Sequence, residues 1–247
     1  MICNRLIFCL VAALASSGCV GTEVGNPQDN ESEVTVEFTA EPQDPRALTL
    51  SNGIDISEAW MGVEEVGLRE SSRCEDSERF DDESPFAVEL ITGEEIPGAA
   101  MLTQTATSFC RLELELESVA ESIPGAPEAL GEASIYMIGT LEDGTPFEVL
   151  AEVTETVRLQ GPFDAAGTTR LLVSFDLQNW LIPEDFEGIE PDANGTLILD
   201  PEVAGDVNER IAQAVLESAR LIRDNNENGV LDDGDEVVAT SAETLEQ

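Results

Sequence analysis

The 247-residue chain predicts a mainly β fold: an antiparallel, Greek-key (immunoglobulin-like) β-sandwich followed by one C-terminal α-helix. Three observations carry that expectation. Apolar and polar residues alternate in many short runs, the period of a strand with one buried face. Turn pairs such as Asn52-Gly53 and Asp143-Gly144 separate those runs. Helical periodicity is confined to the region after residue 200, and no βαβ rhythm calls for a parallel sheet.

Taken in order, Val34, Val36 and Phe38 alternate with Thr35, Glu37 and Thr39, which reads as a half-buried strand ended by Pro42 and Pro45. Residues 47–50 and 54–56 flank Asn52-Gly53 as a hairpin. Residues 59–68 form a strand with a bulge at Gly62, and residues 69–84 a charged surface loop. Another strand covers 86–91. Cys110, Leu112, Leu114 and Leu116 alternate strictly with Arg111, Glu113, Glu115 and Glu117, so this is the clearest amphipathic strand. Residues 118–131, with Pro124 and Pro127, connect it to a hairpin of 133–141 and 147–153 around Asp143-Gly144. Residues 154–159 pair onward, and strands at 169–175 and 196–199 bring the total to about eight or nine. Asp192 to Thr196 reads as a plain turn.

The C-terminal stretch is different. Val207, Ile211, Val215, Ala219 and Ile222 make one apolar stripe, so a helix is expected from Val207 to Arg223. Asp206 and Glu209 would start it as a capping box, and Arg220 and Arg223 would meet the negative end of its dipole. The next residues, Asp224 to Asp235, read D-N-N-E-N-G-V-L-D-D-G-D. Oxygen-bearing side chains stand at Asp224, Asn226, Asn228, Asp232 and Asp235. Gly229 supplies the sharp bend, Val230 offers its carbonyl, and Leu231 points inward as an anchor. Alternate oxygen donors in a tight turn converge on one point, the arrangement that holds Ca²⁺. The loop resembles an EF-hand, and more closely the dockerin-like variant, which also ends in Asp. That resemblance implies Asp224, Asn226, Asn228, Val230, Asp232 and Asp235 as ligands of a structural calcium ion. Two amides in place of carboxylates imply weak affinity, on the order of 10⁻⁴–10⁻³ M. Residues 237–240 are either a strand or a stub of exit helix.

The N-terminus gives an address. Arg5 precedes an apolar run over 6–15, too short to span a bilayer, and then Ser16-Ser17-Gly18-Cys19. This layout resembles the lipobox of bacterial lipoproteins, which implies cleavage before Cys19 and acylation of its thiol. The following Gly21-Thr22-Glu23-Val24-Gly25-Asn26-Pro27 resembles the start of a group of uncharacterised Gram-negative lipoproteins. The expected organisation is a signal peptide over 1–18, a flexible tether over 19–32, a sandwich over 33–200, and the helix and calcium loop over 201–247. The expected location is the cell envelope, lipid-anchored in the outer membrane.

Composition narrows the chemistry. Of five cysteines, Cys74 and Cys110 remain as a disulfide pair in an oxidising compartment. A bridge closing about 36 residues is worth about 3.8 kcal/mol on the chain-entropy account. All eleven basic residues are Arg, and there is neither Lys nor His. This removes P-loop NTPases, Schiff-base enzymes, Ser-His-Asp and Cys-His machinery and His-ligated metal catalysis. Carboxylate hydrolysis survives, but with 52 acidic residues any pair can be nominated. The net charge of −41 repels nucleic acid and anionic headgroups alike. The reading is therefore a lipid-anchored envelope protein that binds or supports, with an envelope protein or polysaccharide as partner and no reaction of its own. The alternatives are a carbohydrate-binding module, for which Trp60, Trp180 and Tyr136 are the candidate aromatic rings, and a carboxylate hydrolase.

Overall fold

The strands form where the alternation lies. In a computed structural model, residues 32–41, 48–75, 80–119, 123–165, 168–202 and 204–241 are described. The expected signal peptide, the lipidation candidate Cys19 and the expected tether up to residue 31 lie outside them. The elements are β1 (Ser32–Glu41), β2 (Leu48–Thr49), β3 (Asp55–Glu70), β4 (Phe80–Asp82), β5 (Phe86–Glu89), β6 (Glu94–Ile96), β7 (Ala100–Gln104), β8 (Ser108–Leu116), β9 (Ile135–Thr140), β10 (Pro146–Ala151), β11 (Val157–Asp164), β12 (Thr168–Asp176), β13 (Leu197–Leu199), α1 (Gly205–Ser218), β14 (Ala219–Arg223) and β15 (Glu236–Ser241). The protein is mainly β.

Hydrogen bonding links the strands into one sheet along the path β13-β10-β9-β3-β8-β11-β15-β14-β12-β1-β7, with β2, β4 and β5 branching from β3 and β6 added onto β5. Among the described residues two pairings are parallel, β1 with β12 and β10 with β13. The purely antiparallel Greek-key expectation is corrected accordingly: the sheet is mixed. Parallel partners far apart in sequence leave no local turn signal, so alternation alone does not disclose them. The sheet curls, and one continuous apolar core takes side chains from β1 (Val34, Val36, Phe38), β8 (Leu112, Leu114) and β12 (Leu171, Val173), all nearly solvent-free.

Strand β3 organises one wall. On one flank its first half pairs with β9 and its second half with β8. The change of partner falls at Gly62, whose N–H donates to the Ser134 carbonyl while its own carbonyl accepts from Glu117 N. The expected irregularity at this glycine is thus a hand-over between two neighbouring strands. A Cβ here would stand 2.3 Å from the Glu117 carbonyl oxygen and 2.8 Å from Val119.

The curl closes where β1 and β7 meet the branches of β3, and side-chain carboxylates do much of the joining. Phe38 N donates to Glu95 Oε1 (3.1 Å), and Met101 N donates to Asp82 Oδ2 (3.2 Å). The buried Glu89 carboxylate accepts from both Ala59 N (2.9 Å) and Thr92 N (2.6 Å). One backbone bond, Ala40 N to the Leu90 carbonyl (2.7 Å), completes the seam. At Glu89 one carboxylate accepts two backbone N–H groups, charge-assisted bonds that stand in for neutral ladder bonds.

Several local expectations change. The span 69–84 is not all loop: β3 runs to Glu70, a 3-10 turn covers Ser71–Arg73, and β4 follows. Cys74 and Cys110 are disulfide-bonded, Cα–Cα 6.1 Å, which ties that turn to β8. Helix α1 begins after Ala204, without a side-chain cap, and ends at Ser218. Residues 219–223 are strand β14, paired with β12 on one side and β15 on the other. Ala219, Leu221 and Ile222 are all buried in this strand, so Ala219 and Ile222, which extend the helical stripe, also suit a buried strand. Two ladders of backbone bonds outweigh the small helix propensity of five residues.

Replacing Gly62 by Ala should destabilise the fold by about 2–3 kcal/mol, because the crowding atom is backbone and cannot step aside. Urea denaturation of Gly62→Ala beside the parent chain checks it, and an unchanged midpoint would refute the hand-over.

Candidate metal-binding loop

Strand β14 delivers Asp224 and strand β15 leaves after Asp235, so the twelve-residue loop is the tip of a hairpin. The expected delivery by a helix is corrected: α1 ends before β14 begins. The chain turns through two positive-φ residues, Glu227 (φ 57°) and Gly229 (φ 71°), which fold the loop back over Asp224.

Asp224 is the inner residue, 4 % exposed. Its Oδ1 accepts from Asn226 N (3.2 Å) and its Oδ2 reaches across the loop to accept from Gly229 N (2.7 Å). Asp235 closes the other end. Its Oδ1 accepts from Asn225 N (3.0 Å) and its Oδ2 from Asp232 N (3.0 Å). Between them Asn226, Asn228 and Asp232 meet. Asp232 Oδ2 accepts from Asn226 Nδ2 (2.5 Å) and Asn228 Nδ2 (3.3 Å), while Asp232 Oδ1 accepts from Gly234 N (2.8 Å). Those donors, the Gly234 amide first, hold the Asp232 carboxyl below the usual aspartate range. Asn228 Oδ1 accepts from Val230 N (2.8 Å), and Leu231 is half-buried rather than fully inserted.

All six residues nominated from the sequence therefore share one turn. Their donor types suit a hard cation: carboxylate, amide and peptide oxygens with no nitrogen or sulfur ligand. Among the described residues, however, no three Asp, Glu, Cys or His converge closely enough to hold a metal ion. Any cation here would depend on the amide oxygens of Asn226 and Asn228 and on the Val230 carbonyl, with the carboxylates divided between the two ends of the loop.

The sequence does not reveal what lies against this loop. Glu37 on β1 and Arg170 on β12 form an ion pair, 3.5 Å between Oε1 and Nη1. A Cβ on Gly229 would stand 3.0 Å from Glu37 Oε2 and 3.1 Å from Arg170 Nη1. Both residues lie far from the loop in sequence: the pairing of β12 with β14, Leu171 opposite Arg223, sets the guanidinium near the tip, and β1 beside β12 brings Glu37 to it.

The aromatic candidates lie elsewhere. Trp180 is fully buried against Phe175 and donates from Nε1 to Ser218 Oγ (2.9 Å). Trp60 is 9 % exposed and donates to Glu58 Oε2 (3.0 Å). It packs in a second, smaller apolar cluster with Val119, Ile123 and Leu130, beside the partly exposed Tyr136. Burial, with Glu148 and Glu58 nearby, pushes the Tyr136 phenol up. A sugar-stacking platform needs an open ring face, and neither tryptophan offers one.

No protein-family model, no curated protein and no solved structure matches the chain. Among the described residues, no helix is long and apolar enough to cross a membrane.

Truncating the buried Asp224 removes the acceptor of two backbone donors in an otherwise largely exposed turn, a loss of roughly 1–3 kcal/mol for the pair. Asp224→Ala should therefore lower stability and open residues 224–235 to protease in metal-free buffer. Digestion at the parent's rate would show that the web does not order the loop.

Proposed function

We propose that the protein is a lipid-anchored component of the cell envelope that binds or supports another envelope protein or polysaccharide, and that a calcium ion steadies its C-terminal hairpin. In this reading the body is sandwich-like, two walls of one curled sheet over a shared core, carried outside the cytoplasm on acylated Cys19 in the outer membrane. Asp224, Asn226, Asn228, the Val230 carbonyl, Asp232 and Asp235 would hold the ion, and when bound it would supply positive charge to a chain of net charge −41. The loop's own residues do the positioning: Asp224 and Asp235 fix the two ends through backbone N–H groups, and Asn226, Asn228 and Asp232 gather between them.

One observation carries the proposal. Alternate oxygen donors over 224–235 sit together at the tip of a hairpin that occupies the middle of the sheet. Absence of catalysis is the other half of the reading, and it rests on composition: a chain with no Lys and no His lacks the usual nucleophile-activating bases. The same charge argues against nucleic acid as a partner.

Calorimetry of the body with CaCl₂ should give binding on the order of 10⁻⁴–10⁻³ M. The double variant Asp224→Ala/Asp235→Ala should lose it, with circular dichroism reporting that the variant retains its sheet. Equal heats for a folded variant and the parent would remove calcium from the proposal.

A further inference from the structure

The seam that closes the curled sheet holds one group the calcium reading does not use. Strand β1 pairs with β7 only as far as Val36 opposite Ala100. Beyond that point β7 no longer faces it, and Phe38 N is met by the side chain of Glu95 on β6. This strand is short and pairs only with β5, from Ala87–Ile96 to Glu89–Glu94. Among the described residues, the hydrogen bond that ties it to β1 runs from Phe38 N to Glu95 Oε1.

The other carboxylate oxygen, Oε2, is buried and has no hydrogen-bond partner. A buried carboxylate with one bare oxygen loses its hydration without replacement, whereas the neutral carboxyl keeps its carbonyl on the Phe38 N–H at much smaller cost. The surroundings favour the neutral form. From β1 the facing charge is Glu37, a like charge, itself paired with Arg170 of β12. On β5 the residue opposite Glu95 is the apolar Val88, and Glu89 turns its oxygens to Ala59 N and Thr92 N. On its own strand Glu94 is exposed. No cation contacts Glu95 among the described residues.

We propose that β6 is a pH-operated strap: Glu95 fastens it to β1 when neutral and releases it when ionised, freeing β6 and the Phe38 amide while the Ala40 N–Leu90 carbonyl bond still ties β1 to the end of β5. Burial is the largest influence and pushes the Glu95 carboxyl up; the Phe38 N–H, next in size, draws it back, and Glu37 adds to the rise, which ends at about 7 against 4.5 for a free side chain. The direction follows from linkage. Below pH 4.5 the fastened and released forms are both protonated, and the strap holds fully. Between 4.5 and 7 only the released form gives up its proton, so fastening weakens as pH rises, and above 7 it stays weak. The shift corresponds to a loss on the order of 10²-fold in the fastening equilibrium across that window.

Amide hydrogen exchange on the full chain, corrected for intrinsic rates, tests this with the β3–β8 ladder as internal control. Protection of the Phe38 amide should fall on the order of 10²-fold between pH 5 and pH 8, while the ladder stays level. In Glu95→Gln the Phe38 profile should be flat and, at pH 8, as protected as the parent at pH 5. A flat profile in the parent, or an unaltered slope in the variant, overturns the proposal. If the variant does not fold, carbon NMR titration of the Glu95 carboxyl in the unaltered chain decides. A midpoint near 7 that tracks the Phe38 exchange supports the strap, and an ordinary glutamate midpoint rejects it.

Discussion

The structure depends on where its last hairpin sits. Strands β11 and β12 are neighbours in sequence, separated only by residues 165–167, yet they do not pair with each other. Strands β14 and β15 lie between them, with β15 on β11 and β14 on β12. The C-terminal segment is therefore the piece that joins β1, β7 and β12 to the rest of the sheet. Among the described residues its ladder to β11 is formed by Leu159–Ser241 and Gln160–Thr240, reinforced by Arg223 Nη2 on the Asp164 carbonyl (2.8 Å). Whatever orders the tip of this hairpin acts on the centre of the sheet and not on a dispensable tail. That is why a loop whose donors suit a cation matters more here than it would on a loose helix, and why its loss should reach the sheet itself.

Charge is the second constraint. With 52 acidic residues against eleven arginines, most carboxylates have no cation to meet, and the fold employs several as acceptors for backbone N–H groups: Asp82, Glu89 and Glu95 at the seam, Asp224 and Asp235 in the loop. The arginines are concentrated where a carboxylate is buried. Glu113, 5 % exposed, is shared by Arg69 (2.7 Å), Arg111 (3.0 Å) and Arg158 (3.6 Å) from three adjacent strands. Arg210 on α1 grips buried Asp185 while also donating to the Asn179 and Trp180 carbonyls, which fastens the helix to the segment after β12. The planar five-donor fork of Arg suits such shared sites, which a single ammonium would serve less well.

Much of this was legible in the sequence and the rest was not, for physical reasons. The alternation of Val34, Val36 and Phe38 and of Leu112, Leu114 and Leu116 gave β1 and β8 with the right faces buried, and Asp143-Gly144 gave the β9–β10 hairpin, because period and turn chemistry are local. Strands β6 and β7 escaped notice: Glu94–Ile96 is too short to show a period, and the alternation of Ala100, Leu102 and Gln104 ends on a buried amide. The parallel pairings are set by contacts remote along the chain. At the tail, the same residues satisfy a helical stripe and a buried strand, and only the ladder partners decide between them. In the loop, the alternate donors were readable, but Glu37 and Arg170 beneath Gly229 belong to strands over fifty residues away, and no spacing rule connects them.

Native-state hydrogen exchange, followed strand by strand in rising denaturant, tests the central claim most directly. If the hairpin joins the sheet, the amides of β11, β12, β14 and β15 open together, at the free energy of global unfolding. If β14 and β15 open at a lower free energy while β11 and β12 stay protected, the hairpin is an appendage and the account is wrong.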